Sequence, residues 1–335
     1  MLRQLLAEDP AEVIGFDNNE SELFFLGQRH RTRFPSIRFV LGDVRDVSAL
    51  RRAMDGVEIV LHTAALKHVH LCEDSPREAI QTNVVGAQNV IDAAEDVGVR
   101  RVLFTSSDKA VNPTSVMGTS KLMGERLFTA ADVRRRDSAP IFASTRFGNV
   151  LGSRGSVIPL FRRQIREGGP VTLTDPAMTR FIMTLQEAVA LVMDSVFLAR
   201  GGEVFVTKMP VVRIEDLAKV MVEELAPRCG RNPEEIEVEV IGTKPGEKMY
   251  EELLNEEEVR RAVELSRYFV IRSAMPPLFR ESDGQYDEPV IGPVSRAYHS
   301  ANERPMTVED LRVYLHRNGL IDPERKTRPT NGGEQ

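Results

Sequence analysis

Short apolar runs alternate with amphipathic stretches through the first half of the chain. The strand-like runs lie at Glu12–Phe16, Ile37–Leu41, Ile59–His62, Arg101–Phe104 and Ile141–Thr145. Between them stand segments with helical spacing of apolar residues, such as Ala79–Val97. This alternation is typical of βαβ units, so we expect an α/β fold with a Rossmann-like, doubly wound and mainly parallel sheet. Its crossovers should be right-handed.

Past Val150 the pattern breaks into Gly- and Pro-containing loops and charged helices, which predicts a smaller α/β lobe. Leu185–Leu198 and Val204–Val206 look like a helix and a strand of the main sheet, whereas Ile236–Val240 and Val259–Ile271 suit the smaller lobe. The predicted division is a Rossmann-like domain (1–150 with 184–224), a substrate-binding lobe (151–183 with 225–320) and a polar tail (321–335).

Composition narrows the classes of protein to consider. The chain has 335 residues, 41% of them hydrophobic, and 44 basic against 50 acidic side chains, with no basic block that would indicate nucleic-acid binding. Cys72 and Cys229 lie too far apart in sequence to indicate a disulfide framework or a zinc ribbon. The apolar runs are shorter than the roughly 20 residues of a membrane helix, and no signal peptide is evident. We expect a cytoplasmic chain without membrane contact of its own.

The densest chemistry lies between residues 104 and 125. Ser107, Asp108 and Lys109 follow an apolar run, so their side chains should emerge where an open α/β sheet binds its ligand. Met117 and Lys121 are four residues apart and share a helix face. Taken alone, Ser-Asp-Lys after a strand is more often a helix cap or a solvated turn than a catalytic site. A methionine such as Met117, taken alone, is more often a core residue than a functional one.

This arrangement resembles the extended short-chain dehydrogenase/reductase family, and within it the nucleotide-sugar 4,6-dehydratases of capsule and flagellin-glycan synthesis. Those proteins carry Thr-Asp-Lys and then Asn-Pro-Thr-Asn-Val-Met-Gly-Ala-Thr-Lys. Here the two motifs stand as Ser107–Lys109 and Asn112–Lys121, with conservative departures. Further matching blocks lie at Ala64–Val69, Arg146–Ser156, Asp175–Phe181 and Lys244–Lys248.

The resemblance implies an NAD-dependent lyase of the UDP-N-acetylglucosamine 4,6-dehydratase type, acting in capsular polysaccharide biosynthesis. Such an enzyme oxidises C4 of a UDP-sugar substrate, eliminates water across C5 and C6, and returns the hydride to C6. The resemblance also implies a homo-oligomer. Two alternatives stay open, namely a UDP-sugar 4-epimerase, which uses the oxidation without the elimination, and a catalytically silent nucleotide-sugar-binding scaffold.

Catalytic roles follow from the resemblance together with the residue chemistry. Lys109 is the candidate base at C5, because burial near the Lys121 ammonium and the nicotinamide should lower its pKa. Asp108 is the candidate acid at C6, and the two assignments are exchangeable. Ser107 should hydrogen-bond the C4 oxygen, and Lys121 the nicotinamide ribose. Met117 replaces the tyrosine of most relatives and accepts no proton, which leaves the C4 hydroxyl proton to Asp108 or a water.

Cofactor binding is assigned to a second group of residues. Asp17 follows the first strand, where a carboxylate binds the adenosine ribose and repels a 2′-phosphate, so NAD is favoured over NADP. A turn cap before Asn19 is the alternative for Asp17. The resemblance places Asp43 in the adenine pocket, although it equally suits a cap for a helix at Val47–Met54. The remaining assigned residues are Val44, Ala64, Ala65, Lys67 and Asn83.

A dinucleotide-binding fold normally opens with a strand and a glycine-rich turn, and this sequence lacks that opening. Residues 1–8 look like the end of the first helix, and Val13–Phe16 corresponds to the second strand of the fold. We expect an incomplete gene model or a truncated fragment, and we favour this over a protein without cofactor. Related enzymes are often fused to an N-terminal membrane segment, and a native form with one would be membrane-attached.

Substrate binding is assigned by resemblance to the second half of the chain. The side chains expected near the uridine, the diphosphate and the sugar are Asn149, Ser153, Arg154, Ser156, Arg180, Lys244 and Glu247. In isolation Arg154 and Arg180 would be interpreted as ordinary surface charge. His68, His70, Cys72 and Glu73 are close in sequence, but no second ligand cluster accompanies them, so no metal is proposed.

Overall fold

The computed structural model describes residues 1–32, 34–136, 139–153, 155–243, 246–279 and 286–321. The strands in these ranges are β1 (Val13–Asp17), β2 (Ile37–Leu41), β3 (Ile59–His62), β4 (Arg101–Thr105), β5 (Ile141–Arg146), β6 (Asn149–Val150), β7 (Val171–Leu173), β8 (Thr179–Met183), β9 (Val204–Thr207), β10 (Val211–Arg213), β11 (Val238–Val240), β12 (Glu252–Leu254), β13 (Ala262–Glu264), β14 (Tyr268–Ile271), β15 (Gly292–Pro293) and β16 (Tyr298–His299). All five strands predicted in the first half are present, with ends shifted by one residue at most.

Helices separate most of these strands. They are α1 (Leu2–Leu5), α2 (Glu20–His30), α3 (Val47–Met54), α4 (Val69–Asp74), α5 (Pro76–Ala79), α6 (Gly86–Val97), α7 (Val116–Val133), α8 (Val157–Glu167), α9 (Leu185–Leu198), α10 (Ile214–Leu225), α11 (Glu256–Val259) and α12 (Val308–Arg317). Within the described ranges, none of them combines the length and the apolar composition that crossing a membrane requires.

Residues 1–147, 189–208 and 252–297 form one structural unit. Its seven-stranded sheet has the order β15-β13-β14-β9-β5-β4-β3. The neighbours β3, β4, β5 and β9 run parallel, and β14, β13 and β15 add antiparallel strands. A core of aromatic and aliphatic side chains, including Phe104, Phe128 and Phe142, packs between this sheet and its helices. The predicted Rossmann-like, mainly parallel sheet is confirmed.

Strands β1 and β2 form a separate parallel pair, in which Val13 lies opposite Ile37. In the described part of the chain β1 pairs with β2 alone and β3 pairs with β4 alone. Phe16 of β1 and Val60 of β3 nevertheless pack against the same core cluster. Each of these two strands therefore has one edge without a strand partner among the described residues.

The second unit comprises residues 148–188, 209–251 and, among the described residues, 298–321. It contains a three-stranded sheet of order β10-β8-β6 and a parallel pair formed by β7 and β11. Helices α8, α10 and α12 bury Phe161, Leu217 and Leu311 in a core of its own.

This division differs from the predicted one in two places. Helix α10, assigned to the Rossmann-like domain, belongs to the second unit, because Leu217 and Met221 are buried in that core. The segment Val259–Ile271, assigned to the smaller lobe, instead supplies β13 and β14 to the main sheet, where Ile271 lies opposite Val204. Short apolar strands carry no local signal for the sheet that they join, so the sequence pattern left this pairing undetermined.

Candidate active site

Backbone hydrogen bonds to β5 and to the residue after it hold the loop after β4 in place. The N–H of Ser106 donates to the carbonyl of Thr145 at 2.7 Å, and the N–H of Asp108 donates to the carbonyl of Phe147 at 2.9 Å. Ser107 caps a single 3-10 turn over Asp108–Ala110. The chain therefore leaves the carboxyl end of β4 in a fixed course, and the adjacent Ser-Asp-Lys side chains emerge there.

Asp108 and Lys109 form an ion pair in this turn. The Lys109 Nζ lies 3.2 Å from Asp108 Oδ2, and Ser107 Oγ donates to Asp108 Oδ1 at 2.5 Å. The Asp108 side chain is 2% exposed and that of Lys109 is 31% exposed. An adjacent carboxylate favours the ammonium form of a lysine, so this geometry does not by itself supply the neutral amine that a base needs.

Lys121 is the buried lysine of the site. Its Nζ donates to the carbonyl of Thr105 at 2.8 Å and lies 4.8 Å from the centre of the Phe104 ring. Burial lowers the pKa of Lys121 to about 8, although the charge of Glu125 acts in the opposite direction. Burial thus lowers the pKa of Lys121, whereas the sequence argument had expected this effect at Lys109. An ammonium at the end of β4 suits the binding of a cofactor ribose.

Met117 is buried with Cys72 and Ala79 and carries no exchangeable proton. Its helix, α7, begins at Ser115, whose side chain accepts from the N–H of Gly118 at 3.2 Å. A Cβ at Gly118 would overlap the carbonyl oxygen of Lys109. The helix can therefore approach the Asp108–Lys109 turn this closely only with glycine at position 118.

Asn83 ties a loop to helix α7. It lies in a π-helical turn, Ile80–Val85, which interrupts the helix predicted over this region. Its Oδ1 accepts from the N–H of Leu66 at 2.8 Å, and its Nδ2 donates to the Leu66 carbonyl and to Ser120 Oγ, both at 2.9 Å. Asn83, assigned to the cofactor site, thus braces the loop after β3 against α7.

The two carboxylates assigned to the adenosine have different surroundings. Asp17 is exposed at the end of β1 and accepts from the N–H of Asn19 at 2.8 Å, as in the turn-cap alternative. The carboxylate of Asp43 accepts hydrogen bonds from Nε and Nη2 of Arg45, at 3.0 and 2.7 Å. This pairing lowers the pKa of Asp43 to about 2. Helix α3 is capped by Asp46, so the cap alternative for Asp43 was wrong.

Other residues assigned to the cofactor line the neighbouring loops. Val44 is buried, and its carbonyl accepts from Asn89 Nδ2 at 3.0 Å, so its side chain belongs to the core. Ala64 and Lys67 are exposed and Ala65 is half-buried in the loop after β3. These positions and Asp17 and Lys121 suit a dinucleotide, whereas a pyrophosphate cradle is not found among the described residues.

Arg180 of the second unit is buried, and its guanidinium is surrounded by the segment 247–251. It donates to the carbonyls of Lys248 and Met249 at 2.9 and 3.3 Å, and its Nε lies 3.5 Å from Glu251 Oε1. Glu247 lies 3.8 Å from the same guanidinium. Arg180 thus organises this segment, and the interpretation as ordinary surface charge was wrong.

The remaining substrate-site predictions also fall in the second unit. Asn149 Nδ2 donates to the carbonyl of Phe181 at 3.3 Å. The N–H of Ser156 donates to the carbonyl of Ser153 at 3.1 Å, and the buried Ser156 Oγ has no partner in the described part of the chain. Arg154 and Lys244 lie outside the described residues.

His62 was not anticipated by the sequence analysis. It ends β3, is 4% exposed and stacks on Phe128, and its Nε2 has no partner among the described residues. Burial, together with the Lys121 charge, lowers the pKa of His62 to about 3, so the ring is neutral at physiological pH. A histidine that ends an apolar strand was the available signal in the sequence.

Comparison with known proteins shows the family to which the chain belongs. A family profile described as "Polysaccharide biosynthesis protein" matches residues 1–273. An uncharacterized membrane protein of Methanocaldococcus jannaschii is 51% identical over 271 residues, which are 81% of each chain. The capsular polysaccharide biosynthesis protein CapD of Staphylococcus aureus is 43% identical over 77% of this chain and 43% of its own length. A UDP-glucose 4-epimerase of Rickettsia felis is 44% identical over 71% of this chain and 67% of its own.

Solved structures agree with this assignment. The X-ray structure of Pen from Bacillus thuringiensis is 42% identical and superposes with a TM-score of 0.85, covering 94% of this chain and 92% of that one. DesIV, a dTDP-glucose 4,6-dehydratase of Streptomyces venezuelae with NAD and TYD bound, is 26% identical with a TM-score of 0.64, covering 74% and 82%.

Proposed function

The chain belongs to the polysaccharide biosynthesis protein family of extended short-chain dehydrogenases/reductases, and on that premise we propose that it is an NAD-dependent UDP-N-acetylhexosamine 4,6-dehydratase. The names of its relatives support an enzyme that acts on nucleotide sugars in polysaccharide biosynthesis. UDP-N-acetylglucosamine is the substrate that we propose first, because the sequence motifs resemble enzymes of that type.

The observation that carries the proposal is the Asp108–Lys109 pair, fixed at the carboxyl end of β4 beside a helix that presents Met117 and Lys121. Elimination needs a base and an acid, and the pair supplies one group of each kind within 3.2 Å of the other. A mechanism that relies on a tyrosine hydroxyl at position 117 is excluded, since a thioether accepts no proton there.

In our proposal the side chains of Asp108 and Lys109 transfer the protons of the reaction. Asp17 and Lys121 are the residues that would hold the riboses of NAD, and the bound cofactor would supply a hydride acceptor for C4 and a hydride donor for C6. The Asp108 carboxylate takes the C4 hydroxyl proton and passes it to the C6 hydroxyl, which leaves as water. Lys109, as a neutral amine, removes the C5 proton, which the C4 carbonyl has made acidic, and gives a proton back to C5. Its partial exposure allows the ammonium to lose its proton to water when the sugar separates the ion pair.

A UDP-sugar 4-epimerase is the second candidate, and the identity to the Rickettsia felis protein of that name favours it. An epimerase uses the oxidation at C4 but has no need for an acid at C6. An epimerase also has no need for a base at C5, whereas both reactions need a group that takes the C4 proton. Lys109, the proposed base at C5, is therefore the residue that distinguishes the two reactions in this site.

The experiment is incubation with UDP-N-acetylglucosamine and NAD, followed by mass spectrometry of the nucleotide sugar. Loss of one water supports the dehydratase. A product of unchanged mass with a different chromatographic retention supports the epimerase and overturns our proposal.

If the chain is silent, the same assay is repeated on a form that carries the upstream strand and glycine-rich turn of the family. Activity of that form supports the dehydratase and identifies the added strand as necessary for turnover. Continued silence, with no dinucleotide released on denaturation, favours the scaffold and overturns the proposal.

A further inference from the structure

Arg146 is a fully buried guanidinium held between two buried glutamates. Its Nε and Nη2 donate to the carboxylate of Glu125 at 2.8 and 2.7 Å, and its Nη1 and Nη2 donate to that of Glu258 at 2.8 and 2.7 Å. The Arg146 side chain is 1% exposed, and the two glutamates are 3% and 4% exposed. We call Glu125, Arg146 and Glu258 the buried triad.

The buried triad joins three elements of one structural unit. Arg146 ends β5, Glu125 lies in the middle of α7, and Glu258 lies in α11. Arg146 also donates to the carbonyl of Leu253 in β12 at 2.9 Å, and Glu258 forms a capping box with Asn255. The helix that carries Lys121 is thus fixed to the sheet by charge-assisted hydrogen bonds.

The charges of the buried triad do not cancel. Two carboxylates and one guanidinium give the buried triad one net negative charge. Arg261 also lies 4.0 Å from Glu258, but it pairs with the exposed Glu257 at 3.0 Å, so a carboxylate outside the triad balances its charge. Burial alone would raise the pKa of Glu258, but the hydrogen bonds and charge of Arg146 outweigh it and lower that pKa. Burial acts to lower the pKa of Arg146, and the two carboxylates outweigh it. Glu258 and Arg146 are therefore both ionised at neutral pH.

Lys121 lies one helical turn before Glu125 and is the nearest cation on the same face of α7. The ionisable groups that other described elements bring to this part of α7 include His62, Glu73, Asp108, Lys109, Arg146 and Glu258. His62 is neutral, Asp108 is paired with Lys109, and Glu73 accepts from the N–H of Val116 at 2.7 Å. Glu125, a member of the buried triad, is the carboxylate whose charge raises the pKa of Lys121 against the effect of burial.

We propose that Glu125 and Glu258, held by Arg146, are positioning residues that keep the side chain of Lys121 charged and in place at the end of β4. The proposal deepens the proposed function, in which Lys121 binds the cofactor ribose. It assigns a role to three residues that the reaction itself does not touch. Without the net negative charge, burial would favour the neutral amine at physiological pH, and the ribose would lose its cationic partner.

The test measures Lys121 directly and does not depend on turnover. The protein is labelled with ¹³C at the lysine Cε carbons, and the Lys121 signal is assigned by its loss in Lys121→Gln. In Glu125→Gln the midpoint of the Lys121 titration should fall by about one pH unit. Glu125→Asp, which keeps the charge, should restore most of the wild-type midpoint. An unchanged midpoint in a folded Glu125→Gln protein overturns the proposal.

Glu258→Gln covers the case in which Glu125→Gln does not fold. It leaves the Arg146–Glu125 pair intact and should lower the Lys121 midpoint by less, because its charge acts from the far side of Arg146. Glu58→Gln is the control, since Glu58 is 69% exposed and pairs with Arg100 at 2.9 Å. A shift of equal size in Glu58→Gln would show a general charge effect and contradict the proposal. Failure of the dehydratase assay leaves this titration unaffected.

Discussion

The Nζ of Lys109 lies 3.2 Å from Oδ2 of Asp108, so the candidate base and the candidate acid are in direct contact. In the proposed reaction the substrate must enter between them or draw one of them away. The pair also neutralises the buried carboxylate of Asp108, which would otherwise be costly to hold at 2% exposure.

Replacement of Lys109 by alanine should abolish water elimination and leave the affinity for UDP-sugar within a few fold. The amine that removes the C5 proton is lost, while the residues proposed to bind the nucleotide lie elsewhere in the chain. The measurement combines mass spectrometry of the product with titration calorimetry of UDP binding. It is made on the form of the protein that shows turnover.

Lys208→Ala is the control for that variant. Lys208 is 33% exposed and pairs with Glu264 at 2.6 Å, so it matches Lys109 in exposure and in type of partner. Elimination by Lys208→Ala should stay close to wild type. Wild-type turnover by Lys109→Ala would reject the role of Lys109 as base.

Replacement of Gly118 by alanine should displace the Asp108–Lys109 turn. The added Cβ would overlap the backbone oxygen of Lys109, which cannot rotate away as a side chain would. We expect a loss of about 2–4 kcal/mol in the free energy of unfolding, measured by urea denaturation. Gly292→Ala is the control, because a Cβ there meets nothing within 4 Å. Equal stability of the two variants would contradict the close approach of α7 to the turn.

Replacement of Asn83 by alanine should loosen the loop at Leu66. Three hydrogen bonds of Asn83 would be lost, two to the backbone of Leu66 and one to the buried Ser120 Oγ, and each such bond contributes about 0.5–1.5 kcal/mol. The free energy of unfolding should fall by about 2–4 kcal/mol in urea denaturation. Asn18→Ala, which removes one exposed hydrogen bond to Asp43, should cost under about 0.5 kcal/mol. A loss at Asn83 as small as that at Asn18 would reject the bracing role.

Lys121 should leave a signature in the pH dependence of stability. Burial lowers its pKa from 10.5 to about 8, so between these values the unfolded chain holds a proton that the folded chain has lost. The free energy of unfolding therefore rises with pH in this window, and the penalty for burying the ammonium is fully present below it. Relative to Lys121→Met, wild type should gain roughly 3 kcal/mol from pH 8 to 10.5. A difference that stays constant with pH in urea titrations would show that Lys121 is not buried as a cation.

The strand-helix alternation and the position of the Ser107–Lys109 turn followed from sequence, because apolar periodicity is local and the carboxyl ends of parallel strands share one edge. The burial of Lys121 did not follow from sequence. Lys109 directly follows Asp108 in the chain, so the sequence itself offers its carboxylate partner. Only packing decides that Lys121 is the lysine that is buried and whose pKa burial lowers.

The sequence by itself determined the family and the order of strands and helices in the first half, since each depends on spacing within a few tens of residues. Tertiary structure alone decided that β13 and β14 extend the main sheet, that Arg180 is buried, and that Arg146 joins Glu125 to Glu258. These outcomes depend on contacts between residues as far apart as 133 positions in the chain, from Glu125 to Glu258. Burial and charge pairing arise from such contacts and have no local signature in the sequence.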